Sequence, residues 1–248
     1  MNRYSVGSIV GILLFWELLV RWLEIPKFLL PAPTTIISYI IVKFWLLATH
    51  SLTTLLEAGA GFLIGSFTAI LTSIFFLWFR PLKEMFYPYA VILNSTPIVA
   101  IAAPIVIIFG SGMWSKVITA IICVFFPVLG PTFKALASAG ATEMKWMDSY
   151  CASRWQKFWY LQFPFALPQV FASFKVAWTL AVIGAVIGEV FGAYRGLGFL
   201  IVDAIYIMDT SRVFASIIAC SLLGLSLVGV ITFIEKKTIT WHISEKRR

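Results

Sequence analysis

The chain has 248 residues, of which 60% are hydrophobic and only 12% charged, with a net charge of +8 and a mean hydropathy of +0.95. A soluble domain keeps about a quarter of its residues charged, so this composition excludes an ordinary water-soluble globular protein and indicates a membrane protein. The basic residues stand at the ends of apolar segments without forming a continuous stripe, which argues against a nucleic-acid-binding surface.

Apolar segments long enough to cross roughly 30 Å of hydrocarbon recur along the chain. We therefore predict an all-α polytopic membrane protein with about six transmembrane helices, at residues 6–23, 52–78, 87–109, 117–136, 170–191 and 213–234. No small-x-small cleavage site closes the first apolar run, so we expect that run to be retained as a span. No internal repeat is visible. We assign residues 1–50 to the first span and an interfacial segment, and residues 51–248 to one core membrane domain.

The stretch after the first span contains the prolines of LLPAPTTII, which forbid a straight helical continuation. Thr34 or Thr35 is placed to cap a helix that runs through Lys43 and Trp45 along the outer membrane interface. In the second span, the spacing of Gly59, Gly61 and Gly65 predicts close approach of a neighbouring helix.

Prolines mark the third predicted span, which contains Pro88, Pro97 and Pro104. A proline in a spanning helix frees a backbone carbonyl, and this is tolerated only in protein or water-lined surroundings. The pattern fits a helix that lines a pathway and fits packing kinks equally well. Asn94 and Thr96 belong to a formal glycosylation sequon, but within a span they indicate pathway lining or helix packing.

The distribution of Lys and Arg predicts the orientation of the chain. With a cytoplasmic N-terminus and six spans, thirteen of the 19 basic residues face the cytoplasm. This bias agrees with the positive-inside rule, and it places both termini and the segment 145–168 in the cytoplasm.

The segment KWMDSYCASRWQKFWYLQFPFALP at 145–168 is charged, aromatic and proline-rich, unlike its apolar neighbours. Ser153 and Gln156 form an S-x-x-Q capping box, which predicts a helix starting at Arg154 and ended by Pro164. A shorter helix at 141–150 precedes it, with the turn at residues 151 and 152. We call residues 141–168 the elbow.

The second elbow helix places four side chains on one face: Trp155, Phe158, Trp159 and Gln162. An aromatic face beside the membrane suits docking into a groove of a soluble partner. It also suits an interfacial aromatic belt that has no partner. The residue pattern alone leaves both readings open.

The elbow resembles the cytoplasmic signature of ABC importer permeases, in which Glu-Ala-Ala, three residues, Gly and nine residues precede aliphatic-x-Leu-Pro. CASRWQKFWYLQFPFALP is similar to the version found in the nitrate, sulfonate and taurine branch, which includes transporters for pyrimidine thiamin precursors. The segments LLPAPTTI, 104–110 and IGEVFGAYRGLGFLI resemble the same branch. Together these segments cover most of the chain.

The resemblance implies that the elbow couples the permease to an ATPase. The positions it assigns to this contact are Lys145, Met147, Cys151, Ser153, Arg154, Trp155, Phe158, Leu161 and Pro164. Two of them depart from the family pattern. Cys151 stands where the family has Gly, which costs roughly 1 kcal/mol if the turn is left-handed. Lys145 reverses the charge of the usual Glu.

Glu189, late in the fifth span, matches the branch's G-E-x-x-G pattern, and with Asn94, Thr96 and Pro97 it is a candidate for the pathway or gate. Helix–helix hydrogen bonding or interfacial solvation explains Glu189 better than a gate does. Glu17 is expected to pair with Arg21, and Glu57 is expected near an interface. No P-loop, H-E-x-x-H or G-x-S-x-G motif occurs, so a catalytic role is not supported.

The sequence thus predicts the permease subunit of an ATP-driven importer at the cytoplasmic membrane. The resemblance implies a separate ATPase that uses the ATP, an extracytoplasmic substrate-binding protein, a permease homodimer and no cofactor on this chain. It also implies a small solute, either an anion such as a sulfonate, taurine or nitrate, or a thiamin-precursor pyrimidine. The alternative is a self-powered secondary transporter or channel, against which the missing repeat and the elaborate cytoplasmic segment count.

Overall fold

The computed structural model describes residues 3–239, except for the side chains of residues 3–6, 80, 90, 93, 94 and 141. Every regular element in this range is a helix, which confirms the all-α prediction. In chain order the helices are α1 (Arg3–Trp22), α2 (Pro33–Val42), α3 (Phe44–Trp78), α4 (Arg80–Ser95), α5 (Ile98–Phe109), α6 (Met113–Ala137), α7 (Ala141–Ser149), α8 (Arg154–Lys157), a π-helical turn (Phe158–Gln162), α9 (Phe163–Gly192), α10 (Leu197–Tyr206) and α11 (Thr210–Thr238).

Four of the described helices are long and apolar enough to cross a membrane: α3, α6, the combined helix Arg154–Gly192 and α11. This confirms a polytopic membrane protein, while the count of six spans stays a prediction. The third predicted span, 87–109, is wrong as a single helix, since α4 ends at Ser95 and α5 begins at Ile98. Pro97 causes the break because it lacks an N–H group and disfavours helical geometry at Thr96.

The core forms where α6 packs against both α3 and α9. Most of its side chains are small, and three large aromatic rings lie among them; its members include Ala58, Ala69, Val124, Val128, Ala177, Ala181, Ala185, Phe62, Phe76 and Trp178. Small residues let helix backbones approach closely, which is how helices gain van der Waals contact inside a bilayer. The Trp178 indole N–H donates to the Leu223 carbonyl at 3.0 Å and so fixes α11 to this core.

Glycines set the distance between these helices. A Cβ on Gly61 would lie 2.4 Å from Ala120 Cβ, and one on Gly184 would lie 2.8 Å from Ala120 Cα. Gly65 is similarly close to Val124, whereas Gly59 faces open space. The predicted close approach is therefore confirmed for two of the three glycines of α3 and is wrong for Gly59.

The start of α10 lies in a second apolar cluster, which is formed by Ile36, Leu47, Leu197, Leu200 and Ala215. These residues come from α2, α3, α10 and α11. The short α10 is therefore held beside the first turns of α3, close to the C-terminal end of α9.

The predicted threonine cap of α2 is wrong, because α2 begins with Pro33 and Ala32 is its N-cap residue. Thr34 instead binds Glu17: the Thr34 N–H donates to Glu17 Oε2 at 3.1 Å and its hydroxyl to Glu17 Oε1 at 2.9 Å. Glu17 also forms the expected ion pair with Arg21 at 2.6 Å. The N-terminus of α2 is thus capped by α1. The helix predicted to continue through Trp45 ends at Val42.

Pro164 does not end the second elbow helix, contrary to the prediction. The helix continues from Arg154 to Gly192 over 39 residues. A proline ring would clash with the carbonyl four residues earlier in a regular helix. Here the π-helical turn Phe158–Gln162 comes just before Pro164, and the Phe163 N–H bonds the Phe158 carbonyl. This wider turn shifts the carbonyls and accommodates the proline.

The glycine contacts predict opposite effects for two substitutions on the same helix. Gly61→Ala should lower the free energy of unfolding by about 1–3 kcal/mol, because the added methyl group overpacks the contact with α6. Gly59→Ala should raise it by up to about 1 kcal/mol, since the methyl group meets nothing and alanine favours the helix. Unfolding by SDS in mixed micelles measures both. Equal effects of the two substitutions would contradict the packing described here.

Candidate functional site

The two arms of the elbow meet in a tight turn. After α7, the Cys151 N–H donates to the Asp148 carbonyl at 2.9 Å and the Ala152 N–H to the Met147 carbonyl at 3.0 Å. These bonds form a Schellman motif, whose left-handed position is usually glycine. Cys151 occupies that position with φ +50°, so the turn is left-handed and the cost of a residue with a Cβ applies.

The second arm begins as predicted. The Ser153 hydroxyl accepts the Gln156 N–H at 3.3 Å, and the Gln156 side chain accepts the Ser153 N–H at 2.7 Å. This capping box satisfies two N–H groups at the start of α8. An ion pair between Lys157 and Asp148 joins the two arms.

The predicted aromatic face is divided between the protein body and the surface. Phe158 is buried and contacts the Trp78 ring at the end of α3, with the ring centroids 5.8 Å apart. Trp155 also lies against Trp78, at 4.6 Å, yet 58% of its surface is exposed, and Trp159 is 54% exposed. The elbow is therefore anchored to α3 through Phe158, whereas the side chains of Trp155 and Trp159 remain exposed on its surface.

The remaining coupling positions also separate by exposure. The exposed ones are Lys145, Cys151, Ser153 and Arg154, and the half-buried ones are Met147, Leu161 and Pro164. The elbow therefore presents a mixed polar and aromatic surface around its turn.

A cavity of about 810 Å³ adjoins the elbow where α4, α6, α9 and α11 meet. Pro164 and Pro168 form part of its wall. The wall also carries three aromatic rings and four polar or charged side chains: Tyr87, Phe126, Phe165, Lys134, Ser138, Gln169 and Glu235. Glu235 is bound by Lys175 at 2.5 Å.

The pathway candidates do not form one group. Thr96 and Pro97 lie exposed at the break between α4 and α5, and the side chain of Asn94 lies outside the described residues. The Thr96 hydroxyl donates to the Ile92 carbonyl at 3.1 Å. Glu189 lies elsewhere, at the C-terminal end of α9, where 1% of it is exposed.

Glu189 is bound by groups from two other helices. Its Oε1 accepts the Thr54 hydroxyl of α3 at 2.7 Å, and its Oε2 accepts the Gly198 N–H of α10 at 2.6 Å. Glu57 is buried beside it, and the expected place of Glu57 near a membrane interface stays a prediction. Buried carboxyl groups are tolerated only when hydrogen-bonded in this way.

Lys116 completes this region from α6. It is 1% exposed, and its ammonium group uses all three N–H bonds. The acceptors are the carbonyls of Ser111 at 2.7 Å, Gly112 at 3.1 Å and Gly192 at 2.8 Å. The cation thus lies at the C-terminal end of α9, where the helix dipole favours positive charge.

Sequence reasoning missed Thr54, Lys116 and His50 as members of this cluster. A signal was present in α3, where His50, Thr54, Glu57 and Gly61 follow one another at spacings of four, three and four. This is one helix face, so polar and small residues there indicate contact with other helices. Among residues 3–239, no group of three His, Cys, Asp or Glu is placed to hold a metal ion.

Replacing Cys151 tests the strain in the elbow turn. Cys151→Gly should raise the local opening free energy of the elbow by up to about 1 kcal/mol, since glycine adopts positive φ without steric cost. Cys151→Ala should give no such gain because alanine keeps the Cβ. Hydrogen exchange of the elbow amides measures the change. An equal response to both substitutions would exclude backbone strain.

A model of the family described as binding-protein-dependent transport system inner membrane component matches residues 61–240. The chain is 31% identical to the riboflavin transport system permease protein RibX of Chloroflexus aurantiacus, over 96% of this chain and 89% of that protein. It is also 31% identical to the formylaminopyrimidine transport permease protein ThiX of Halalkalibacterium halodurans, over 93% and 92%.

A third relative is the putative aliphatic sulfonates transport permease protein SsuC of Bacillus subtilis, which is 24% identical over 98% of this chain and 91% of that protein. These relatives are named as transport permeases and not as enzymes. Since the family match spans most of the chain and two relatives align over nearly all of it, the chain belongs to the binding-protein-dependent transport system inner membrane components, the permease family of ABC transporters.

Proposed function

We propose that this chain is the permease subunit of an ATP-driven importer and that the elbow receives the movement of a separate ATPase. In this proposal both termini and the elbow face the cytoplasm, as the distribution of basic residues predicts. Two copies of the chain form the pathway, and an extracytoplasmic binding protein delivers the solute. ATP is used by the partner subunit, and this chain binds no cofactor.

The continuous helix from the elbow into the membrane is the observation that carries the proposal. A helix of 39 residues, at about 1.5 Å per residue, extends roughly 58 Å. Its first turns contain the exposed Arg154 and Trp155, and its last turn contains Glu189. A rigid element of this length can carry a tilt at the elbow to the far end of the molecule.

The elbow also has the composition of a docking surface. Trp and Arg are enriched at the centres of protein interfaces, where they supply much of the binding energy. Trp155, Trp159 and Arg154 are exposed around the turn, while Phe158 fixes the elbow to α3. A load on this surface would therefore reach α3 and α9 together. It would also move Pro164 and Phe165 in the wall of the 810 Å³ cavity.

For the solute, we propose a small planar nitrogen heterocycle of the pyrimidine or flavin type in preference to a sulfonate. The relatives named for riboflavin and formylaminopyrimidine are each 31% identical, whereas the one named for aliphatic sulfonates is 24% identical. The cavity beside the elbow supplies aromatic rings for stacking and polar groups for hydrogen bonds, among them Tyr87, Phe126 and Gln169.

Crosslinking tests the contact with an ATPase. In a chain whose Cys123, Cys151 and Cys220 are replaced, Ser153→Cys should form an adduct with a nucleotide-binding subunit in native membranes, because Ser153 is exposed on the elbow. The matched control is Val176→Cys, which is 57% exposed on α9 within the membrane-spanning part. No adduct from Ser153→Cys, or an equal yield from both positions, would refute the contact.

Uptake assays test the solute and the energy source. Cells that express the chain should accumulate labelled formylaminopyrimidine or riboflavin faster than cells that lack it, and their taurine uptake should be unchanged. Vanadate, which blocks ABC ATPases, should abolish the difference. Uptake that continues in ATP-depleted vesicles with an imposed ion gradient would instead support a secondary transporter.

A further inference from the structure

Side chains of α3 and α9 hold the N-terminus of α10. His50 Nδ1 faces the Gly196 backbone, 3.0 Å from the N–H nitrogen and 3.1 Å from the carbonyl oxygen, and it accepts the N–H in the tautomer that leaves Nδ1 unprotonated. The Leu197 N–H donates to Thr54 Oγ1 at 2.9 Å. The next N–H along the chain donates to Glu189, as described above. A helix N-terminus leaves such N–H groups unpaired, and here other helices supply all three acceptors. The start of α10 cannot leave α3 without breaking these bonds.

The same turn is glycine-rich because the Glu189 carboxylate lies directly against its backbone. A Cβ on Gly196 would lie 2.2 Å from the carboxyl carbon of Glu189, and φ at Gly196 is +110°. A Cβ on Gly198 would lie 2.5 Å from the Val186 carbonyl oxygen. The GLG sequence thus lets α10 approach the carboxylate more closely than any larger residue would allow.

Acidic and basic side chains are buried together in this region. Glu57 is 4% exposed, and Glu189 and Lys116 are each 1% exposed. Lys116 lies beside α9 at Gly188, whose Cβ would lie 3.1 Å from Lys116 Cα. Groups of opposite sign near one another make the burial of charge tolerable in the membrane region.

One oxygen atom of this region has no partner. Oε2 of Glu57 is buried and has no hydrogen-bond partner in the described part of the chain. None of the three N–H groups at the start of α10 bonds Glu57, so Glu57 lies beside these bonds without forming any of them.

We propose that His50, Thr54, Lys116 and Glu189 form a latch that keeps the outer end of the transport pathway closed in the resting protein. When the pathway opens outward, the start of α10 separates from α3 and α9 at these bonds. This inference rests on the proposed function, which places this end of the molecule outside. It assigns four residues that act by positioning α10 and do not need to contact the solute.

The helix that carries Glu189 also connects the latch to the elbow. Glu189 is in the last turn of the 39-residue helix whose first turn is at Arg154. Lys116 holds the Gly192 carbonyl at the end of that helix. A movement of the elbow therefore acts directly on both the anionic and the cationic part of the latch.

Two isosteric substitutions separate the roles of the two carboxyl groups. Glu57→Gln keeps the shape of the side chain and removes none of the bonds to the start of α10, so the latch should stay closed. Glu189→Gln replaces one acceptor oxygen by an NH₂ group, so either the Thr54 hydroxyl or the Gly198 N–H loses its acceptor. The latch should then open.

Opening can be measured with a membrane-impermeant maleimide on Leu197→Cys in a chain free of other cysteines. Leu197 is fully buried at the start of α10, so the resting protein should react slowly. Adding Glu189→Gln should raise the labelling rate from outside by at least about tenfold, and adding Glu57→Gln should change it less than about twofold. An unchanged rate with Glu189→Gln, or an equal rise with Glu57→Gln, would overturn the latch.

A second pair of variants decides the question if Glu189→Gln does not reach the membrane. Thr54→Val removes a hydroxyl that bonds Glu189 and Leu197, and it should also accelerate labelling. Thr53→Val is the matched control, because the Thr53 hydroxyl bonds only the Thr49 carbonyl of its own helix. Equal labelling rates for the two variants would overturn the proposal.

A Tyr194→Cys variant tests the orientation of the chain in the membrane independently of the latch. Tyr194 is 80% exposed beside the latch, so it should react with external reagent whether the latch is open or closed. Labelling only from the cytoplasmic side would refute the orientation and with it the assignment to the outer end. External labelling of Tyr194→Cys together with unresponsive latch variants would refute the latch alone.

Discussion

The close approach of α6 to α3 and α9 is the constraint on which the rest of the structure depends. It requires Gly61, Gly65 and Gly184, because a Cβ at any of them would lie 3.0 Å or less from a neighbouring helix. In a bilayer, lipid tails are as apolar as the side chains, so close packing replaces the hydrophobic effect as the force between helices. The same approach brings Lys116 beside the end of α9 and Glu57 beside Glu189.

The second organising feature is the single helix that begins in the elbow and ends at the buried carboxylate. Its continuity depends on the π-helical turn before Pro164, which lets the helix pass a residue that would otherwise bend or break it. Wide turns of this kind are frequent at functional sites. This one continuous helix therefore connects the exposed aromatic surface of the elbow with the opposite end of the helix bundle.

The two ends of that helix have different physical characters. At the elbow, polar and aromatic groups are exposed and a strained cysteine closes the turn, which suits a surface that binds a partner. At the other end, charges are buried and paired within the chain. Burial strengthens those hydrogen bonds and makes a broken one costly. The Glu189 end of the helix is therefore suited to two distinct arrangements, one with the bonds formed and one with them broken, and not to a gradual change.

Local sequence determined the features that depend on neighbours in the chain. The apolar segments and the capping box of Ser153 and Gln156 each follow from composition and local hydrogen-bonding rules. The resemblance of the elbow to the permease signature could also be recognised from the sequence alone. The tertiary structure decided the rest: α1 caps α2, Pro164 continues a helix, and Lys116 and Glu57 lie buried beside Glu189. Partners distant in the chain fix these positions, and one sequence's local pattern contains no information about which distant groups will meet.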